Sequence, residues 1–216
     1  MTVNDTENPT FGTVTDITVN TDAGVCGAVV SFEAPTATDN CDGTVVTLNE
    51  GSLASGSEFP VGTTTVTYTA TDAAGNTSTS SFDVIVVDNE APSIACPGDV
   101  NQSTEVGESY AIVNFENVTA TDNCDVTVEQ TAGLTSGSQF PIGESTVTFT
   151  ATDASGNTTE CSFTVTITDN EPPTIVCPAN LDMDVDAGIC GAVVSFETPT
   201  ASDNSELEVT VTQTAG

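Results

Sequence analysis

Valine, isoleucine and phenylalanine alternate with threonine and serine along this chain, a period of two that marks half-buried β-strands. Clear runs stand at Tyr110-Ala111-Ile112-Val113-Asn114-Phe115, Val126-Thr127-Val128, Ser145-Thr146-Val147-Thr148-Phe149-Thr150 and Ser162-Phe163-Thr164-Val165-Thr166-Ile167. Phe140-Pro141-Ile142-Gly143, like Phe59-Pro60-Val61-Gly62, sets an anchoring ring before a proline-led turn that starts the next long strand. Ala154-Ser155-Gly156-Asn157 turns that strand back into the last one. No stretch carries a helical period. About seven short strands in about eighty residues predict an all-β fold of antiparallel two-sheet sandwiches.

The pattern recurs. Phe32, Phe115 and Phe196 correspond, as do Asp39, Asp122 and Asp203; Asp72 matches Asp153, and Cys96 matches Cys177. Asp88-Asn89-Glu90-Ala91-Pro92 and Asp169-Asn170-Glu171-Pro172-Pro173 punctuate the repeats, with a worn copy at Asp5-Thr6-Glu7-Asn8-Pro9. These junctions predict the tail of a preceding repeat over 1–7, repeat one over 8–89, repeat two over 90–170 and a truncated repeat three over 171–216. Gln213-Thr214-Ala215-Gly216 matches the middle of repeat two, and Thr2-Val3-Asn4-Asp5 matches the end of repeat one, so a window on a longer linear array is expected. Half-repeats leave sheet edges for neighbouring repeats or chains to cover.

Charge narrows the function. The chain has 32 Asp and Glu and no Lys, Arg or His, so no side-chain salt bridge can form. Each carboxylate must find water, backbone N–H groups or a bound cation, and clustered carboxylates repel unless something positive sits among them. Nucleic acid and anionic membranes are excluded as partners, since nothing could neutralise phosphates. Catalysis by His, Lys or Arg is excluded too, and of enzyme chemistry only a paired-carboxylate hydrolase stays open in principle; the reading is a non-enzyme. Seven cysteines without a zinc-type CxxC pattern predict disulfides and an oxidising, extracellular location. No stretch reads as a signal peptide or a membrane span, so an export signal is expected outside this window.

Comparison of the repeats yields one disulfide. Repeat two has Cys96 near its start and Cys161 in its last strand, where repeat one has Thr13 and Ser80. Joint loss is the mark of a bonded pair, so Cys96 is expected to bond Cys161.

The strings ATDNC at 37–41 and 120–124, SGSEFPVGTTTVTYTATDAAGN at 55–76, CSFTVTITDNEPP at 161–173 and DAGVCGAVVSF at 22–32, with CP after the junction, resemble the HYR (hyalin repeat) domain family. The resemblance spans essentially the whole chain, as two full copies and one partial copy. It implies tandem immunoglobulin-like sandwiches in a linear array, extracellular adhesion or surface-array proteins, and no catalytic residues. It also implies a second disulfide, Cys26 to Cys41, closing a short loop. Cys124, opposite Ser109, and Cys190, opposite Ser205, then lack their usual partners and are either free or bridge repeats or chains. Cys177 is left without a partner.

Strand direction turns the acidic motifs into a candidate site. The last strand of a repeat must end at the pole facing the next repeat, so the Asp153 to Asn157 turn and the Asp122-Asn123 loop face the incoming Asp88-Asn89-Glu90. Hard carboxylate and amide oxygens in this number suit Ca²⁺, which takes 6 to 8 oxygen ligands. Asp169, Asn170, Glu171 and Asp203 form the corresponding set at the next junction, and Asp5, Glu7, Asp39 and Asp72 at the first. The junction strings also resemble the calcium-binding linkers of cadherins, though with different spacing. Plain turn chemistry is the competing explanation, because Asp, Asn and Gly hydrogen-bond their own backbone.

Rows such as Thr63 to Thr71 are read as the solvent face of a sandwich rather than an ice-binding surface. Asn4, Asn76, Asn101, Asn117 and Asn157 begin Asn-X-Ser/Thr sequons, and Asn76 and Asn157, in matching turns, are the expected glycosylation candidates. The function expected is a structural, adhesive stalk or filament of repeats, stiffened by disulfides and Ca²⁺, whose partners are further repeats or identical chains in a fibre. The alternatives are spacer repeats of a larger secreted enzyme, or a module binding carbohydrate or protein. With 5% aromatics and no Trp, a sugar-stacking platform is poorly supplied.

Overall fold

A computed structural model describes residues 3–205 and 208–214. Thr2, Ala215 and Gly216, which figure in the repeat matches above, lie outside the described residues. The described residues are strands and connecting turns, and the strand pattern of repeat one recurs in repeat two.

Repeat one runs β1 Thr10–Phe11, β2 Ile17–Asn20, β3 Gly27–Val30, β4 Ala37–Thr38, β5 Val45–Leu48, β6 Ser57–Pro60, β7 Gly62–Thr71 and β8 Thr77–Val87. One sheet has the order β2-β8-β7-β5; β3 pairs with β6, and β1 with β4. The long β7–β8 hairpin sets the register, with Val66 opposite Phe82 and Ala70 opposite Ser78. Val66, Tyr68 and Ala70 on β7 and Phe82, Val84 and Val86 on β8 all point inward, and a slip of one residue would turn every one of them outward. All but Ala70 form one cluster with Ala28, Val30 and Phe59 from the β3–β6 layer. Phe32 sits edge-on to Phe59 and Phe82, at centroid distances of 6.1 and 5.1 Å. Two sheets thus share one core.

Sequence patterning alone predicts an antiparallel sandwich. The sheets are antiparallel except at one edge: β2 runs parallel to β8, with Ile17 opposite Val84. Parallel neighbours need a long crossover, and here the crossover is the stretch of the repeat between β2 and β8.

Repeat two follows with β9 Ser93–Ala95, β10 Val100–Ser103, β11 Tyr110–Val113, β12 Thr119–Thr121, β13 Val126–Ala132, β14 Ser138–Pro141, β15 Gly143–Asp153 and β16 Thr158–Thr168. The order β10-β16-β15-β13, with β10 parallel to β16, repeats the arrangement of repeat one. Phe140 is fully buried opposite Ala111, and Phe115 stands edge-on to Phe163 at 5.1 Å. Cys96 is bonded to Cys161, tying the segment after β9 to β16. In the remaining segment β17 Thr174–Val176 pairs with β18 Thr200–Ser202. Phe196, the counterpart of Phe32 and Phe115, is 58% exposed.

By packing, the chain divides into two compact units whose limits differ from the repeat boundaries. The first joins Met1–Ile94 with Thr119–Glu129 and Thr150–Glu160; the second holds Ala95–Val118, Gln130–Phe149 and Cys161–Gly216. The Asp122 loop and the tip of the β15–β16 hairpin therefore pack with the end of repeat one.

Candidate functional site

Asp88 is the centre of the junction inside the first unit. It follows β8 directly and is 4% exposed. Its Oδ1 accepts hydrogen bonds from the Glu90 N–H at 3.1 Å, from Asn123 Nδ2 at 3.4 Å and from Thr21 Oγ1 at 3.5 Å. Its Oδ2 accepts from Ser155 Oγ at 3.4 Å, and its carbonyl from Asn157 Nδ2 at 3.2 Å. The linker, the ATDN loop and the hairpin tip therefore meet on one carboxylate. Pro92, four residues after Asp88 in the linker, is buried.

Two oxygens there have nothing to bind. Asp122 Oδ2 accepts from the Cys124 N–H at 3.0 Å, but Asp122 Oδ1 and Asn123 Oδ1 are buried without a partner. Asp88, Asp122 and Cys124 bring a carboxylate, a carboxylate and a sulfur within 4.8 Å of one another. The first junction repeats the arrangement with Asp5, Asp39 and Cys41, where Asp5 Oδ2 and Asp39 Oδ1 are the unpartnered atoms. Among the described residues five buried side-chain oxygens lack a partner, and four of them stand at these two junctions. A buried unpaired acceptor normally costs on the order of 1–3 kcal/mol, and the Oδ1 atoms of Asp39 and Asp122, which occupy equivalent places in successive repeats, both stand unpaired.

At the third junction Asp169 Oδ1 accepts from the Glu171 N–H at 2.9 Å, and Asp203 Oδ1 from the Ser205 N–H at 2.9 Å. The Ser205 hydroxyl and N–H hold the Asp203 pKa below its ordinary value against burial, helped by a hydrogen bond shared with Asp169.

Several residues expected at the site have other work. Asn89 donates to Asn20 at 3.0 Å and Asn170 to Ser103 at 2.8 Å, so both carboxamides turn back onto the repeat they close. Glu171 accepts the Gly107 N–H on both carboxylate oxygens at 3.1 Å. Glu7 and Glu90 are exposed, and each gives its backbone N–H to the Asp two residues before it.

Asp72 and Asp153 are turn caps. Each accepts the N–H of the Asn four residues on at 2.8 Å and its Nδ2 at 2.7 Å. Burial opposes their ionisation, yet the Asn side chain and the successive turn N–H groups outweigh it and hold both carboxyls below their ordinary 3.8. Because the folded value is the lower one, this stabilisation is complete above the unfolded value and is lost as pH falls through the folded one. NMR titration should place both midpoints below 3.8, and Asn157→Ala should raise that of Asp153. An unchanged midpoint in that variant would contradict the capping role. The same bonds occupy Asn76 and Asn157, whose Nδ2 atoms also reach the Asp5 and Asp88 carbonyls, so these sequons are poor glycan acceptors.

The cysteine pairing differs from expectation. Cys26 is bonded to Cys124, with a Cα–Cα distance of 4.8 Å, while Cys41 is free and exposed. Cys124 is thus neither unpaired nor intermolecular; Cys177 and Cys190 are free and exposed. Cys41 lines a pocket with Asp5 and the Ala73-Ala74 hairpin tip, at the start of β8, whereas the loop of Cys26 leads from Thr21, whose N–H meets the Val87 carbonyl at the other end. An eleven-residue strand spans roughly 35 Å, far beyond the ~7 Å limit for a disulfide. A bridge between repeats was one of the alternatives open for Cys124, and its partner was missed because Cys26 was set against Cys41 of the same repeat rather than across the junction.

A family model described as the HYR domain matches residues 4–86, 87–167 and 168–216. Hyalin from Lytechinus variegatus is 37% identical over 205 residues, covering 92% of this chain and 38% of that protein. Hyalin from Strongylocentrotus purpuratus is 39% identical over 224 residues, covering 98% of this chain and 18% of that protein. A serine-rich adhesin for platelets from Staphylococcus aureus is 34% identical over 179 residues, covering 71% and 8%. The chain therefore spans well under half the length of these relatives. Among solved structures, extracellular domains 1–4 of Drosophila N-cadherin align at 12% identity with a TM-score of 0.37, covering 75% of this chain and 50% of theirs.

Proposed function

The chain belongs to the HYR domain family, a module of extracellular adhesive repeat proteins, and on that premise we propose that it builds a stalk or filament whose junctions are stiffened by disulfides and Ca²⁺. The observation that carries this reading is the recurrence of unpartnered buried oxygens at successive junctions. Asp88, Asp122 and Asn123 would hold the ion at the second junction, Asp5 and Asp39 at the first, and Asp169 with Asp203 at the third. The donor set fits: all these atoms are hard oxygens, and no cationic side chain exists to separate the carboxylates. When bound, the ion supplies charge neutralisation and a fixed geometry. The chain's own residues do the rest: Asp88 ties the linker to the loop and hairpin of the next repeat, and Cys26–Cys124 holds the same contact covalently.

The function is mechanical and adhesive, with further repeats or identical chains as partners. Digestion by a Glu- or Asp-directed protease tests it. Chelator should speed cleavage around residues 88–90 relative to cleavage elsewhere in the chain, and added Ca²⁺ should restore protection. Cleavage there that is indifferent to Ca²⁺ would count against the reading.

A further inference from the structure

Equivalent junctions carry the same loops but differ in which sulfur positions are filled. We propose that Cys41 and Cys190 are the two open halves of the inter-repeat disulfide that Cys26 and Cys124 already form, and that a second copy of this chain supplies the partner for each. Cys190 of one copy would bond Cys41 of the next.

The receiving loop is the same at both places. The Cys124 N–H donates to Asp122 at 3.0 Å and the Cys41 N–H to Asp39 at 3.0 Å. The adjoining hairpin tips dock alike, Asn157 on the Asp88 carbonyl at 3.2 Å and Asn76 on the Asp5 carbonyl at 3.4 Å. Cys41 is therefore held as Cys124 is held, exposed and without its sulfur partner.

The offering loop is also preformed. Around Cys26, the Asp22 N–H donates to the Gly27 carbonyl at 2.7 Å, the Val25 N–H to the Asp22 carbonyl at 3.0 Å, and the Val29 N–H to Asp22 Oδ2 at 2.8 Å. Around Cys190, the Asp186 N–H donates to the Gly191 carbonyl at 2.8 Å, the Ile189 N–H to the Asp186 carbonyl at 3.1 Å, and the Val193 N–H to Asp186 Oδ2 at 3.1 Å. The loop turns through Gly24 at φ 72° in one case and Gly188 at φ 88° in the other. It closes around Cys190 although the large hydrophobics near it, Ile189 and Phe196, are exposed.

The third junction supplies an independent observation. Its offering loop, Glu105 to Tyr110, has the same backbone closure at 2.8 Å with Ser109 in the cysteine place, and its receiving loop has Ser205. Asn204 Nδ2 donates to the Glu108 carbonyl at 2.8 Å, as Asn123 Nδ2 does to the Val25 carbonyl at 3.2 Å. Where one partner is serine, so is the other. Sulfur is kept or lost across a junction, not within a repeat, and Cys41 and Cys190 are each left needing the complementary loop.

Bond formation removes two protons and two electrons from the two thiols. A small-molecule disulfide such as oxidised glutathione accepts them and leaves as two thiols. None of this depends on a bound ion.

The test incubates the intact chain with oxidised glutathione, followed by non-reducing electrophoresis and mass-spectrometric mapping after Glu-directed digestion. A ladder of covalent oligomers is expected, with Cys41–Cys190 the main bridge; Cys177→Ser should keep it and Cys41→Ser should abolish it. In a second arm, Ser109→Cys with Ser205→Cys should form a bridge within one chain, so that thiol titration loses both added thiols, while each single variant gains one. Bridges spread without preference over Cys41, Cys177 and Cys190, no bridge at all, or a double variant that keeps both added thiols would each overturn the proposal.

Discussion

Phe140→Ala is expected to lower the unfolding stability of the second unit by about 3–5 kcal/mol, the range for emptying a large buried aromatic site. The ring has no exposure, faces Ala111 across the β11–β14 pair and precedes the Pro141 turn that launches β15. Ile112, its neighbour on the opposite face of β11, is 45% exposed, and Ile112→Ala should cost well under about 1 kcal/mol. Urea unfolding of both variants separates the two cases, and similar midpoint shifts would mean that the inward and outward faces have been misassigned.

Removing the Cys96–Cys161 bond is the second large effect. Its residues lie 65 apart in sequence, and in the chain-entropy model closing such a loop stabilises by about 4 kcal/mol. Cys96→Ser with Cys161→Ser should show that loss in the same denaturation experiment. The Cys26–Cys124 bond closes a longer interval of 98, but it joins repeats that each have buried rings of their own. Its removal should therefore loosen the junction more than either core. If the Cys96–Cys161 pair can be replaced with a loss below about 1 kcal/mol, the bond is not clamping the first strands of repeat two to its last.

Much of this was legible in the sequence because a period of two needs only local information. The long hairpins, the proline-led turns and the Cys96–Cys161 bond all follow from comparing one repeat with the next. Pole assignment was legible as well, since alternating strand direction brings Asp122 and the Asp153 turn to Asp88. What escaped was specific to side-chain direction. Asn89 and Asn170 carry the right chemistry but lean back onto Asn20 and Ser103, a choice made by register with β2 and β10. Asp72 and Asp153 reach the right pole but are consumed by their own turns, as ordinary turn chemistry allows. The partner of Cys26 was hidden because it belongs to the next repeat, and the parallel β2–β8 edge because a strand's alternation is the same whichever way its neighbour runs.

The ion-stiffened junction is tested most directly by calorimetry, with Ca²⁺ titrated into the chelator-treated intact chain. Binding heat together with a raised melting temperature is the expected result, and both should diminish when Asp39→Asn and Asp122→Asn are combined. No heat and an unchanged melting temperature would contradict it.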